Sequence, residues 1–100
     1  MNKAEMISTV VDKMPVASLL EGMAEECAEL AQGALKLARI IRGENPTPVT
    51  KEAAIQWVQE EIADLMLYIA VLREVGIEAE KCEVKKLTRW VERLNGIMDE

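Results

Sequence analysis

Glu60-Glu61-Ile62-Ala63-Asp64-Leu65-Met66-Leu67-Tyr68 is the stretch on which the fold turns. It has no period-two alternation, so it is not a half-buried strand, and it lies inside a long amphipathic segment. Glu61 and Asp64 stand three positions apart, which puts both on one face of an α-helix. A cluster of the same shape, Glu25-Glu26-Cys27-Ala28-Glu29, sets Glu26 and Glu29 the same way. Like charges at that spacing lower helix stability, so their occurrence twice needs a cause. A divalent cation supplies one. Convergent carboxylates in a chain without histidine specify hard oxygen ligation, which suits Mg²⁺ or Mn²⁺ and disfavours zinc. A di-iron carboxylate bundle needs Glu-x-x-His and is excluded. The bland alternative is a solvated acidic face.

Outward from these clusters the punctuation predicts four helices, roughly 2–14, 16–42, 51–75 and 79–98. Met6, Ile7, Val10, Val11 and Met14 form the apolar stripe of the first, and Pro15 ends it. Ser18-Leu19-Leu20-Glu21 has the form of a capping box, which starts the second helix between Pro15 and Ser18. Arg39, Arg42 and Gly43 suit its C-terminal end. The loop Glu44-Asn45-Pro46-Thr47-Pro48-Val49 is stiffened by two prolines, and Thr50 is a good N-cap for the third helix. Gly76 stops that helix, with Ile77 folding back on Leu72 in a Schellman ending. In the fourth, Val84, Leu87, Val91, Leu94 and Met98 recur three and four apart, the seam of a helix packed along its neighbours. The predicted fold class is all-α, a single bundle-like domain over 1–100 with no sheet.

A short loop makes the second and third helices an antiparallel hairpin. Counted outward from the loop, the clusters lie about 14 and 11 residues away, a height mismatch of about 4–5 Å at ~1.5 Å per residue. Both carboxylate pairs therefore fall near mid-helix on facing rods. Gly22 and Gly33 flank Glu26 and Glu29 on that same face. Glycine inside a helix costs up to about 1 kcal/mol against alanine, so something is expected to approach closely there. Trp57, Glu61, Asp64 and Tyr68 form one stripe on the third helix. The two rings read either as packing or as a surface for a base.

Composition bounds the partners. A net charge of −6 argues against a nucleic-acid polymer, which needs a basic field. No apolar run approaches the roughly 18–20 residues that span a bilayer, and the N-terminal residues lack the apolar block of a secretion signal. Cys27 and Cys82 match no metal-ligand spacing and read as reduced, small apolar residues, in keeping with a cytoplasmic protein. About 100 residues with half of them apolar give a modest core, so a second copy is expected to complete it.

The pattern E-E-x-x-E followed by E-x-x-D, here Glu25, Glu26 and Glu29 and then Glu61 and Asp64, resembles the MazG-like all-α nucleoside triphosphate pyrophosphohydrolases. The resemblance runs from about Ser18 to Arg93 and includes Glu60 to Tyr68, the Gly76-Ile77 joint and a basic last helix. It implies cleavage of an NTP or dNTP between the α- and β-phosphates, giving a monophosphate and pyrophosphate. It also implies a homodimer or dimer of dimers. Glu26, Glu29, Glu61 and Asp64 would hold Mg²⁺, with Mn²⁺ as a substitute; Glu25 would be either a further ligand or, like Glu29, a group that handles the attacking water. Lys86, Arg89 and Arg93 would meet the phosphates, and Trp57 and Tyr68 the base. Where the family often has asparagine this chain has Trp90, so one polar contact is lost or supplied elsewhere. A related phosphoribosyl-ATP pyrophosphohydrolase usually has a histidine near Tyr68-Ile69, and this chain has none. The rival from another class is a non-catalytic bundle that binds metal or nucleotide.

Overall fold

A computed structural model describes residues 1–44 and 48–96. Its elements are α1 (Lys3–Lys13), α2 (Val16–Arg42), α3 (Lys51–Glu74) and α4 (Glu80–Leu94), with no strand among the described residues. No described helix is long and apolar enough to cross a membrane. The expected all-α fold is what the chain adopts.

Local chemistry explains most of the boundaries. Asn2 caps α1: its side chain accepts from the Glu5 backbone N–H at 2.8 Å, and Glu5 reaches back to the Asn2 N–H. This capping box, readable in Asn2-Lys3-Ala4-Glu5, is the one the chain uses. The box expected at Ser18 does not form. Pro15 is extended, with ψ 147, and α2 starts directly after it with no side-chain cap, so Ser18 already lies inside the helix. Proline supplies a fixed φ at the entrance and makes a second start signal unnecessary. Thr50 accepts from the Ala53 N–H at 3.1 Å, as a cap should.

At the end of α3, Gly76 takes φ 88. The Ile77 N–H donates to the Leu72 carbonyl and the Gly76 N–H to the Arg73 carbonyl, both at 3.0 Å. This is the expected Schellman ending, and it fixes the direction in which the chain leaves the hairpin. The α4 helix is shorter than expected, because Gly96 turns the chain at φ 70 just past Leu94. The predicted reach to Met98 and the proline loop at Asn45, Pro46 and Thr47 fall outside the described residues.

Packing is uneven. The α2–α3 hairpin is the body of the molecule, α1 lies against α3, and α4 lies against none of the other three helices. Leu19, Val71 and Leu72 form the buried nucleus, with Ile7, Val10, Val11, Met23, Tyr68 and Val75 around it. The seam expected for α4 therefore has no neighbour within the described chain. The radius of gyration is 17.3 Å, against about 13 Å for a compact chain of this length.

Leu72 is 2% exposed, so Leu72→Ala should cost about 2–5 kcal/mol of stability in urea denaturation. A loss below about 1 kcal/mol would show that the nucleus lies elsewhere.

Candidate metal centre

The hairpin runs in constant antiparallel register. Leu19 packs with Val71, Gly22 faces Tyr68 and Gly33 faces Trp57. Glu26 lies in one groove with Asp64, and Glu29 meets Glu61. In each pair the residue numbers add to 90, so the two acidic clusters stand level. The offset counted from the helix ends vanishes because α3 begins at Lys51, three residues beyond the register partner of Arg42. The last turn of α2 simply overhangs. Along each helix these seam positions repeat four and three apart, the spacing at which paired helices place apolar residues. Here the middle of the seam is carboxylate.

Glu26, Glu29 and Glu61 each offer an oxygen, all within 4.8 Å of one another. The Oε2 atoms of Glu26 and Glu61 are shut off from solvent and have no hydrogen-bond partner. Carboxylates cannot donate to each other unless one is protonated, so a proton or a cation must come between them. The Glu26 carboxyl is accordingly raised to about 7. Loss of hydration is the main cause, followed by the adjacent Glu61 carboxyl and then by the charges of Glu29, Asp64 and Glu61. Glu29 is raised as well, first by its bond with Glu61 and then by the Glu61 charge, with smaller contributions from burial, Asp64 and Glu25.

The donor set fits a hard divalent cation. Oxygens bound at about 2.1 Å to octahedral magnesium stand about 3.0 Å apart when cis and about 4.2 Å when trans, so side-chain movement of up to about 2 Å would close the three around one ion. Unpartnered buried oxygens are what such an ion would satisfy. Asp64, the fourth expected ligand, stays outside the trio but lines the adjoining groove with Glu26. Glu25 is exposed and acts on the site through its charge on Glu29. Lys86, Arg89 and Arg93 sit on α4, which touches neither acidic helix. A single chain therefore does not bring them to the carboxylates.

The two aromatic residues act within the seam. The Trp57 indole N–H donates to Glu61 Oε1 at 3.2 Å, which leaves Oε2 turned into the cluster. Its ring lies against Gly33, with Lys36 Nζ 5.9 Å from the ring centroid. Tyr68 fills the notch at Gly22, where an added Cβ would come within 2.6 Å of the phenol Cζ. The close approach expected at the glycines is thus made by side chains of α3. A side chain at Gly22 would force the Tyr68 ring to shift. Gly33 is in ordinary contact only, at 3.5 Å.

A groove of about 470 Å³ opens beside the cluster, within the size range of small-ligand sites. Met6, Ile7 and Val10 of α1, with Met14 just past its end, form one wall, Tyr68 and Leu67 the other, and Glu26 and Asp64 lie along it. Sequence reading gave these residues as the apolar stripe of the first helix and missed this wall. Its signal was length, since an 11-residue helix has too little surface to bury so many large side chains. Met6 remains 50% exposed.

Two outcomes follow. A proton on Glu26 stabilises the fold in full below the ordinary carboxyl range, and that contribution is lost as pH rises through about 7. In chelator the protein should therefore melt at a lower temperature at pH 8 than near pH 5.5, and millimolar Mn²⁺ should recover the loss. Glu26→Gln should flatten the slope, and a melting temperature that climbs with pH in chelator would contradict it. Trp57→Phe keeps the ring against Gly33 but removes the donor to Glu61. It should weaken Mn²⁺ binding about 10-fold by calorimetry, whereas unchanged affinity would reduce Trp57 to packing.

Compared with protein-family models, curated proteins and solved structures, the chain has no match.

Proposed function

We propose that this chain is a Mg²⁺-dependent nucleotide pyrophosphohydrolase that splits an NTP or dNTP between the α- and β-phosphates. One observation carries the reading: two buried carboxylate oxygens meet across the hairpin seam without a partner. Beside them lies a groove large enough for a nucleoside. An acidic protein accepts an anionic substrate only if a cation comes between them, and this cluster is built to hold one. Mg²⁺ bound there, or Mn²⁺ in its place, would supply charge neutralisation for the phosphates and a more acidic water.

The residues divide the work as follows. Glu26, Glu29 and Glu61 would hold the cation, with Asp64 as the fourth candidate ligand. A cation there would compete with the proton on Glu26 for the same oxygens. Glu25 and Glu29 are the groups available to accept a proton from the attacking water, Glu25 from its exposed position. Trp57 keeps Glu61 oriented. Tyr68, with the methionines of α1, offers an apolar wall to the base. The reading includes a cytoplasmic setting and a homodimer or dimer of dimers, with Lys86, Arg89 and Arg93 reaching phosphate only from a second copy.

Pyrophosphate release across a panel of nucleotides, with and without Mg²⁺, tests the proposal. The native chain should turn over at least one nucleotide in Mg²⁺ and none in chelator. Glu26→Ala and Asp64→Ala should each lose more than about 100-fold, the upper end of what outer-sphere losses cost. Full activity in both variants would refute the site. Metal binding without turnover of any nucleotide would favour a binding module.

A further inference from the structure

We infer that Lys3, at the end of α1 farthest from Pro15, is the side chain with which a single copy of this chain grips the phosphates of its ligand. The inference rests on the nucleotide reading above. It supplies what α4 does not, a cation on the same chain and at the same groove as the carboxylates.

Helix spacing sets the placement. Lys3, Ile7, Val10 and Met14 stand four, three and four apart, so they share one face of α1 and its C-cap. All four line the groove. Three of them are apolar and build the wall. The fourth is lysine, and Glu26 and Asp64 line that same groove. Among the described residues no other basic side chain lines it. Lys36 lies over the Trp57 ring at 5.9 Å, on the far side of Glu29 and Glu61 from the groove.

Two things about Lys3 are unusual for a merely solvated lysine. It is the first residue of α1, where the helix dipole favours a carboxylate and opposes a cation. Among the described residues it also makes no ion pair, although two carboxylates share its groove. A lysine committed to neutralising Glu26 and Asp64 would be bonded to them. This one is left exposed, and Glu5 of the same turn is folded back on the Asn2 N–H. The positive end of the helix and the ammonium thus act together on an incoming anion.

Charge and shape both select a polyphosphate. Four carboxylates around one divalent ion still carry two negative charges, and a phosphate chain brings more, so a protein cation is needed beyond the metal. The alkyl stem of Lys3 prolongs the apolar wall while its ammonium reaches clear of it. The helix that carries it is free to adjust. No residue of α1 is buried, and α3 is the one helix it lies against. A second hollow of about 300 Å³, between Ala4, Ser8, Val11 and Glu74, flanks it. Its tether to α2 is Met14 and Pro15, both extended. A helix with hollows beside it and a tether at one end tilts most at the other, and that end is Lys3.

Calorimetry in Mn²⁺ with a nucleoside triphosphate made non-hydrolysable at its α,β bridge reads this directly. Lys3→Met keeps the stem and removes the charge, and it should weaken that analogue about 10-fold, the cost of one charged hydrogen bond. Lys3→Arg should keep affinity within about 3-fold of native. Mn²⁺ measured without nucleotide, and the parent nucleoside without phosphates, should bind Lys3→Met as they bind the native chain. Equal affinity of native and Lys3→Met for the analogue overturns the inference. So does a change in Mn²⁺ affinity as large as the change for the analogue, because Lys3 would then act on the carboxylates and not on phosphate. The enzyme reading fails separately. Lys3-dependent binding without turnover of any nucleotide would sink that reading and uphold this one, and turnover with analogue affinity unchanged in Lys3→Met would do the reverse.

Discussion

Facing carboxylates in the middle of a helix–helix seam are the constraint on which this structure depends. A two-helix interface is stabilised by apolar side chains at positions that alternate three and four apart. Here Leu19 and Val71 obey that rule at one end of the seam, and the next positions hold Gly22, Glu26, Glu29 and Gly33 against Tyr68, Asp64, Glu61 and Trp57. The seam thus gives up burial where burial is most useful. It also sets like charges against each other in a place that water reaches poorly. A raised Glu26 carboxyl is the direct consequence. Such an arrangement persists because something positive, a proton or a metal ion, sits between the helices.

The surrounding features follow from holding that point. Gly22 lets Tyr68 cross to α2, and the Trp57 N–H takes one oxygen of Glu61 so that the other faces the cluster. The short α1 covers the end of the hairpin where Leu19, Val71 and Leu72 are buried, and it leaves a groove running to Glu26 and Asp64. On the proposed reading, a cation held by these carboxylates would receive the anionic end of a ligand and the apolar groove its flat end. A nucleoside triphosphate has both.

Much of this was legible from residue spacing, because helix punctuation and heptad-like spacing are local. Pro15, Gly43, Thr50 and Gly76 marked four boundaries that the structure keeps, and the two acidic clusters could be placed within one helical turn of each other by counting from the loop. Three things were not legible. The Ser18 capping box was expected, but a box forms only where the chain enters the helix, and Pro15 had already set that point. The glycines signalled close approach without saying by what, since Tyr68 and a ligand leave the same trace in sequence. Finally, the stripe on α4 announced that the helix packs, and spacing cannot say whether its neighbour belongs to the same chain.

The claim that a cation joins α2 to α3 is most directly tested by a crystal structure grown in Mn²⁺, using the anomalous signal of the metal. A peak is expected between Glu26, Glu29 and Glu61, bonded to their oxygens at about 2.1 Å, with Asp64 turned toward it. Carboxylates directed apart into solvent, with no peak among them at millimolar Mn²⁺, would contradict the account.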